Sequence, residues 1–473
     1  MGKCRKILRR FIMFANDSTV TDGKLFFRYV IPSMISMLTA GVYTLVDGFF
    51  VGWGAGNDGL AAINVAFPLS LLIVACGEMI GTGGAINIAL ARGRGARRTA
   101  DLFLGNSLAL LVPAAVLLAG LIPFLNPILS AVGAAPALLP AAREYAVITL
   151  GGGIFMMAAV CLVAAMRNDG APKPAMAIMV AGLAANIVLD WLFVLVLHGG
   201  VAGSAWATVL SQAICFALAA GYFAAGRSHF RFSRRCFRLK RRIVRRIIPA
   251  GLPSFGVQIS VAAVILLHNR QALLYGGVAA VAAYAIISYV EAMILMLQQG
   301  IGLGIQPVVS FLHGAGDTER REKIARYGVI SAVLIGAGGL LLSAGGYRLI
   351  PALFNASGDV VAVAGRGLII SAAVYPFLGL QKVSEAYFQA MDRPGMASLL
   401  VYLDCFLVLP LSLLLLPLWR GADGIWAAMP VSKLLMFGVV LLFWRRNAQE
   451  AAEEKPGFRL ETEERAFAFE ARR

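Results

Sequence analysis

Apolar segments of roughly 20 to 30 residues follow one another along almost the whole chain, separated by short polar or glycine-rich connections. About 20 apolar residues let an α-helix cross the hydrocarbon core of a bilayer. A transmembrane β-barrel would show shorter segments of alternating polarity. The pattern therefore predicts an all-α polytopic membrane protein with twelve transmembrane helices, at about residues 29–53, 59–91, 100–125, 139–166, 174–198, 201–225, 247–274, 279–312, 325–350, 360–390, 396–419 and 423–446.

The composition agrees with this pattern and narrows the function. The 473 residues are 59% hydrophobic and 14% charged, with a mean hydropathy of +0.78, which is too few charges to cover a soluble protein of this size. The glycine-rich stretch at residues 81–84 lacks the Lys-Ser/Thr of a phosphate-binding loop and lies inside a predicted span. We therefore expect no enzyme activity, no ATP consumption and no cofactor.

The net charge of +17 is concentrated in every second connection between spans. The densest run of basic residues occupies 227–246, whereas the intervening connections are nearly uncharged. This alternation is the positive-inside pattern of membrane proteins, so it argues against nucleic acid as a partner. It predicts that both termini are cytosolic and that the protein lies in the inner (cytoplasmic) membrane, with the lipid bilayer as its surroundings.

The chain repeats itself with an offset of 221 residues. Ile80-Gly-Thr-Gly83 is echoed by Ile301-Gly-Leu-Gly304, and Gly203-Ser-Ala-Trp206 by Gly424-Ile-Trp426. Each repeat holds six spans, so the two halves should be pseudo-symmetric lobes with the same orientation. We predict a cytosolic N-terminal segment, two lobes, a basic cytosolic linker between them and a cytosolic tail, at residues 1–28, 29–226, 247–446, 227–246 and 447–473 respectively.

Two apolar spans of the first lobe each contain one carboxylate. Asp47 lies in the first span, and Asp190 lies in the fifth span, one helical turn after Asn186. A charge at mid-bilayer costs roughly 2.5–3.5 kcal/mol on insertion scales, so such acids indicate function by default. Their oxygens would suit Na⁺, and two neighbouring carboxylates would also suit a proton. A purely structural hydrogen bond to a neighbouring helix is the alternative.

Four motifs stand out: Val46-Asp47-Gly-Phe-Phe-Val-Gly52, Gly59-Leu-Ala-Ala-Ile-Asn-Val-Ala-Phe-Pro68 and Asn186-Ile-Val-Leu-Asp190 in the first lobe, and Gly302-Leu-Gly-Ile-Gln-Pro307 in the second. They resemble the multidrug and toxic compound extrusion (MATE) family, and the first half is most similar to its MepA-like bacterial branch. The resemblance covers about residues 25–446. It implies a V-shaped fold with a central cavity between two six-helix lobes, and export of organic, often cationic, compounds in exchange for Na⁺ or H⁺.

The resemblance also implies roles for individual residues. Positions matching Asp47, Asn186, Asp190 and Thr208 form the family's cation site, and Tyr145 stands where the family often has a tyrosine beside it. Pro32 would allow the first span to bend. Packing roles for Tyr145 and Thr208, and a static kink at Pro32, remain alternatives.

The second lobe departs from the first. Taking Ile31-Pro32-Ser33 to match Ile248-Pro249-Ala250, we place Val264 and Leu411 opposite Asp47 and Asp190, so the ion site is not duplicated. We expect His268, at the end of span seven, to face water. Four polar residues inside spans are candidates for lining the substrate cavity: Glu78, Glu291, Gln299 and Glu385. Pairing of Glu291 with Lys382 or Arg270 is the alternative for that residue.

These observations favour a secondary efflux transporter that exports a small, cationic or amphipathic organic compound in exchange for Na⁺ or H⁺. We expect it to act as a monomer. The alternative is a flippase for a lipid-linked or polyanionic substrate, which predicts a basic cavity, against which Asp47, Asp190 and Glu291 argue. A receptor or scaffold without transport activity would leave the repeat and the acids unexplained.

Overall fold

The computed structural model describes residues 21–230, 233–354 and 358–453, and this part of the chain is helical with no strand. Most of the predicted N-terminal segment and tail lies outside the described residues. The helices are α1 (Asp22–Gly93), α2 (Arg97–Ala119), α3 (Leu125–Val132), α4 (Leu139–Gly151), α5 (Gly153–Asn168), α6 (Pro172–Asp190), α7 (Gly200–Ala224), α8 (Arg241–Ala315), α9 (Thr318–Gly345), α10 (Leu349–Leu353), α11 (Gly358–Ala372), α12 (Tyr375–Ala390), α13 (Pro394–Leu403), α14 (Leu409–Arg420) and α15 (Ala422–Glu453).

Helices α1 and α8, of 72 and 75 residues, are each two membrane spans joined at a glycine. At a rise of about 1.5 Å per residue, each is roughly 110 Å long and exceeds the roughly 30 Å hydrocarbon core several times. Gly56 in α1 has φ 64° and ψ −162°, and Gly277 in α8 has φ 63° and ψ −161°, which breaks both helices. This region of backbone space is essentially restricted to glycine.

The number of spans agrees with the twelve predicted from the sequence. The described residues contain eight helical segments long and apolar enough to cross a membrane, and two bent pairs that each pass as one broken span. Counting α1 and α8 as two spans each brings these ten to twelve. The prediction of an all-α polytopic membrane protein is therefore confirmed.

The outer surface is apolar, and the interior is packed with small residues. Leu117 is 76% exposed and Trp419 is 87% exposed, as expected for side chains that face lipid rather than water. Fully buried alanines, among them Ala62, Ala207 and Ala283, lie where helices meet. Small side chains let helix backbones approach closely, which drives association in lipid, where apolar burial gains little.

The backbone carries the internal repeat. Gly95 and Gly316, 221 residues apart, both have φ 76°, and Gly200 and Gly421 have φ 54° and 57° at the same offset. The break between α4 and α5 bends by 49°, and the break between α11 and α12 bends by 48°. Two stretches of different sequence therefore make the same turns and bends at corresponding positions.

One part of the predicted register is wrong. Gly56 and Gly277 share one conformation, and the helix before each has no other non-helical residue. Register cannot shift within an uninterrupted helix, so the offset of 221 holds back to Pro32. Pro32 therefore corresponds to Pro253 rather than Pro249, and Asp47 corresponds to His268 rather than Val264.

The second repeat thus carries a histidine where the first carries the acid of span one. His268 does not face water as we expected, because it is only 3% exposed. Its ring stacks on Tyr284 with centroids 4.8 Å apart, and its Nδ1 lies 2.9 Å from the carbonyl oxygen of Val264. The histidine is therefore part of the packed interior.

The chain divides into two compact units, Met1–Ile259 and Ser260–Arg473. In the first unit the basic segment 227–246 packs against the helices before it. The Asn106 side chain donates to the Cys236 carbonyl at 3.0 Å and accepts from the Lys240 backbone N–H at 2.7 Å. The lobe limits predicted from the sequence stay a prediction.

We predict that Gly56→Ala lowers the melting temperature of the purified protein by several degrees. Nothing lies within 4 Å of a Cβ at this position, so the cost comes from backbone strain, about 1–3 kcal/mol, rather than from a clash. Gly221→Ala is the matched control, because that glycine also has open space but lies within the regular helix α7. Equal melting temperatures for the two variants would show that Gly56 is not conformationally constrained.

Candidate functional site

The first candidate acid, Asp47, is half-buried on α1 and is held by a hydroxyl of α7. The Ser204 hydroxyl donates to Oδ1 of Asp47 at 2.8 Å. Ser204 itself is fully buried, whereas Asp47 is half-buried, so the hydrogen bond lies partly inside the protein. Helix α1 is apolar on either side of Asp47, and the hydroxyl therefore supplies a polar partner that the surrounding helix lacks.

The second candidate acid, Asp190, is fully buried at the C-terminal end of α6, as is Asn186 one turn earlier. Neither oxygen of Asp190 accepts a hydrogen bond of normal geometry, and the Asn186 amide is also without such a partner among the described residues. Asn186 is near enough to Asp190 for a side-chain hydrogen bond of loose geometry, and Asp47 is near enough for the two carboxylate charges to interact. An unsatisfied buried polar group costs about 1–3 kcal/mol, so this arrangement is not explained by stability.

The chain continues beyond Asp190 as a short π-helix, Trp191–Val196. Such wide turns are rare and are often found at functional sites. The wider turn begins directly after the acid, so it changes the direction in which the following side chains point relative to Asn186 and Asp190. Sequence periodicity did not predict this segment.

The other residues predicted for this site are buried in the same unit. Thr208 on α7 is 6% exposed and Tyr145 on α4 is 4% exposed. Tyr43, one turn before Asp47, was not singled out, although its hydroxyl lies 2.9 Å from Oγ of Ser211 on α7. Its spacing of four residues from Asp47 could have indicated it, because residues four apart share a helix face.

Together these side chains provide two carboxylates, an amide and hydroxyl groups within an apolar surrounding. Carboxylate, amide and hydroxyl oxygens are ligands for hard cations, and two interacting carboxylates favour the uptake of a proton by one of them. Among the described residues, no three His, Cys, Asp or Glu side chains come together as a metal cluster. The set therefore offers oxygen ligands of the kind that suit Na⁺, and a carboxylate that could take up a proton.

The second unit has a different buried polar cluster, in which charges are paired. Lys382 donates to Glu385 at 2.8 Å, and Gln381 donates to Glu385 at 2.9 Å and to Asp404 at 3.1 Å. Asp404 also forms an ion pair with Lys433. Lys433 was missed in the sequence, although a lysine inside the apolar twelfth span is itself an unusual feature.

The remaining predicted residues differ in their partners. Among the described residues, Oε1 of Glu291 is buried and has no hydrogen-bond partner, whereas Lys382 pairs with Glu385. The alternative of a Glu291–Lys382 pair is therefore wrong, and the alternative pair with Arg270 stays a prediction. Glu78 accepts from the Thr82 hydroxyl at 3.0 Å. Gln299 is partly buried. Roles for these residues and Glu385 in a substrate cavity stay predictions.

Pro32 is buried within the continuous part of α1 before Gly56. Its carbonyl oxygen accepts a hydrogen bond from the Ser36 hydroxyl at 2.8 Å. A proline inside a helix removes one backbone hydrogen bond, which makes bending easier at that point. The predicted hinge is compatible with this local structure and stays a prediction.

Comparison with known proteins identifies the family. The MatE family model matches residues 32–192 and, a second time, residues 253–414, which together are more than half of the chain. This chain belongs to the MATE family. The two matches begin 221 residues apart, at Pro32 and Pro253, which agrees with the corrected register of the repeat.

Curated relatives of this MATE protein are transporters. "Probable multidrug resistance protein YoeA" of Bacillus subtilis is 26% identical over 89% of this chain and 93% of the relative. "Multidrug export protein MepA" of Staphylococcus haemolyticus is 22% identical over 92% of this chain and 96% of the relative. "FAD transporter" of Shewanella oneidensis is 24% identical over 88% of this chain and 92% of the relative.

Solved structures share the fold. One described as "Crystal structure of MATE in the straight conformation" matches with a TM-score of 0.88 and 23% sequence identity, over 94% of this chain and 99% of that chain. The predicted fold class and the predicted family are therefore confirmed.

We predict that Asp190→Asn raises the melting temperature at about pH 8, because it replaces a buried carboxylate that lacks normal hydrogen bonds with a neutral amide, and a charge costs more to bury than a neutral polar group. Asp169→Asn is the matched control. Asp169 is also fully buried, but it is paired with Arg92, and its Oδ1 lies 3.1 Å from Nδ1 of His229.

Removing one partner of a buried ion pair costs about 3–5 kcal/mol, so Asp169→Asn should melt at a lower temperature. Thermal unfolding of the two variants, measured in detergent beside wild type, checks the opposite signs. A loss of stability in both would mean that Asp190 has a structural role like that of Asp169.

Proposed function

We propose that this MATE protein exports small organic compounds, cationic or amphipathic, in exchange for Na⁺ or H⁺ bound between Asp47, Asn186 and Asp190. The observation that carries the proposal is the Asp190 carboxylate, fully buried and without a hydrogen bond of normal geometry. A protein gains nothing in stability from such a group, whereas a bound cation or proton would satisfy it. The multidrug relatives support a small organic substrate.

Exchange follows from differential binding. Na⁺ or H⁺ at the site favours one conformation only if it binds that conformation more tightly, and the organic substrate must favour the other. Asp47 accepts a hydrogen bond from Ser204, whereas Asp190 lacks a hydrogen bond of normal geometry. A cation bound between the two carboxylates would therefore compensate chiefly the charge of Asp190. A bend of α1 at Pro32 is the movement that would alter the position of Asp47, which lies on the same helix.

We further propose that the protein lies in the cytoplasmic membrane with both termini in the cytosol. The alternation of basic and nearly uncharged connections supports this orientation. The basic segment 227–246 would then contact the cytosolic surface, where anionic lipid headgroups favour lysine and arginine.

The alternative of a polyanionic substrate is supported by one observation, the similarity to a relative named as an FAD transporter. FAD carries two phosphates, so a site for it would need cationic side chains without partners. Among the described residues of the second unit, Lys382 and Lys433 are neutralised by Glu385 and Asp404. We therefore favour the cationic or amphipathic substrate.

We predict that wild-type protein in whole cells extrudes ethidium and that Asp47→Asn and Asp190→Asn each lower the rate at least tenfold. A tenfold loss corresponds to about 1.4 kcal/mol, which is modest for removal of a charged ligand. Imposing a Na⁺ gradient and a pH gradient separately identifies the ion. Asp359→Asn, an exposed acid, is the control and should match wild type.

Wild-type rates in both acid variants would contradict the proposed ion site. Release of FAD by wild type, with no extrusion of ethidium under either gradient, would favour the polyanionic alternative instead.

A further inference from the structure

Among the described residues of the second unit, one buried acid, Glu291, has a carboxylate oxygen without a hydrogen-bond partner. Lys382 pairs with Glu385, and Lys433 pairs with Asp404. Glu291, which is 9% exposed, has an Oε1 atom that is buried and unpartnered. An unpaired buried carboxylate is costly, so its persistence beside a lysine requires an explanation.

Lys433 is close enough to Glu291 for their charges to interact. Val290, next to Glu291 on α8, and Met429, one turn before Lys433 on α15, pack against the same buried cluster of Ile294 and Tyr375. Residues four apart share a face of a helix, so Met429 and Lys433 point to the same side. A lysine ammonium moves on a flexible four-carbon stem, so Lys433 has the freedom to exchange one neighbouring carboxylate for another.

Asp404 holds Lys433 where it is. Besides its ion pair with Lys433, Asp404 accepts hydrogen bonds from the Ser432 hydroxyl at 2.8 Å and from Gln381 at 3.1 Å. Gln381 also donates to Glu385, which is neutralised by Lys382. The polar partners are therefore collected around Asp404 and Glu385, and none of them turns to Glu291.

We propose that Asp404 is a positioning residue that keeps the Lys433 ammonium away from Glu291, so that Glu291 remains an uncompensated carboxylate available to a cationic substrate. The inference rests on the proposed export of organic cations. It assigns to Asp404, Ser432 and Lys433 the task of setting the charge that a substrate meets at Glu291. Without Asp404, Lys433 would pair with Glu291 and occupy the place of the cation.

The test is binding of tetraphenylphosphonium, a lipophilic cation, to the purified full-length protein. Asp404→Asn should weaken binding about tenfold, and Glu291→Gln should weaken it by a similar factor. The double variant Asp404→Asn, Glu291→Gln should bind the cation no more weakly than Glu291→Gln alone, because both substitutions act through the Glu291 carboxylate. Asp404→Asn with Lys433→Met should bind within about twofold of wild type, because the competing ammonium has been removed.

Asp423→Asn is the matched control. It removes one carboxylate from α15, the helix that carries Lys433, but Asp423 pairs with Arg366, which is largely exposed, and the variant should bind the cation as wild type does. Wild-type affinity in Asp404→Asn or in Glu291→Gln would overturn the proposal. So would failure of Lys433→Met to rescue Asp404→Asn.

A second measurement separates this proposal from the proposed function. If wild type binds no tetraphenylphosphonium and extrudes no ethidium, the export of organic cations is refuted, and melting temperatures decide the exchange of partners. The coupling is the difference between the change in melting temperature of the double variant Glu291→Gln, Lys433→Met and the sum of the changes of the two single variants. It should be small in the wild-type background and larger by roughly 3 °C or more in the Asp404→Asn background. An unchanged coupling would overturn the exchange of partners.

Discussion

The burial of ionisable groups in an apolar interior is the constraint on which this structure depends. Each unit contains carboxylates inside apolar helices, and each pairs some of them with cations but not all. The first unit pairs Asp169 with Arg92 and leaves Asp190 without a hydrogen bond of normal geometry. The second unit pairs Glu385 and Asp404 with lysines and leaves Oε1 of Glu291 without a partner among the described residues. The unpaired acid lies near a second carboxylate, Asp47, in the first unit and near a lysine, Lys433, in the second, so the two units are chemically unequal despite their common backbone.

A few glycines determine the backbone conformation that the two repeats share. Glycines at corresponding positions, such as Gly56 and Gly277, allow conformations that other residues rarely adopt, and they recur although the side chains around them have diverged. Between such points the helices need only be apolar outside and small where they touch. The polar residues inside the helices can therefore differ between the repeats. The residue that corresponds to Asp47 in the second repeat is His268 rather than a second acid.

The difference suggests a division of labour. The first unit has the oxygen-rich set that fits a coupling ion, whereas the second has a balanced network that leaves only Glu291 uncompensated among its carboxylates described above. In the arrangement proposed above, the network around Asp404 would determine which charge the unit presents at Glu291. Burial makes each pairing strong, since low dielectric surroundings strengthen every charge interaction.

The sequence by itself determined the all-α membrane class, the number of spans, the repeat and the candidate acids Asp47 and Asp190. These features depend only on the order of apolar and polar residues along the chain. Only the tertiary structure decided which partners those polar groups have. Ser204 donates a hydrogen bond to Asp47, the Tyr43 and Ser211 hydroxyls are hydrogen-bonded, and Lys433 forms an ion pair with Asp404. Each contact joins segments that are separated in the sequence. The repeat register also needed more than a local sequence match, because Pro249 and Pro253 each share two residues with the Ile31-Pro32-Ser33 motif. The shared conformation of the two kink glycines selects Pro253, and the start of the second family match agrees with it.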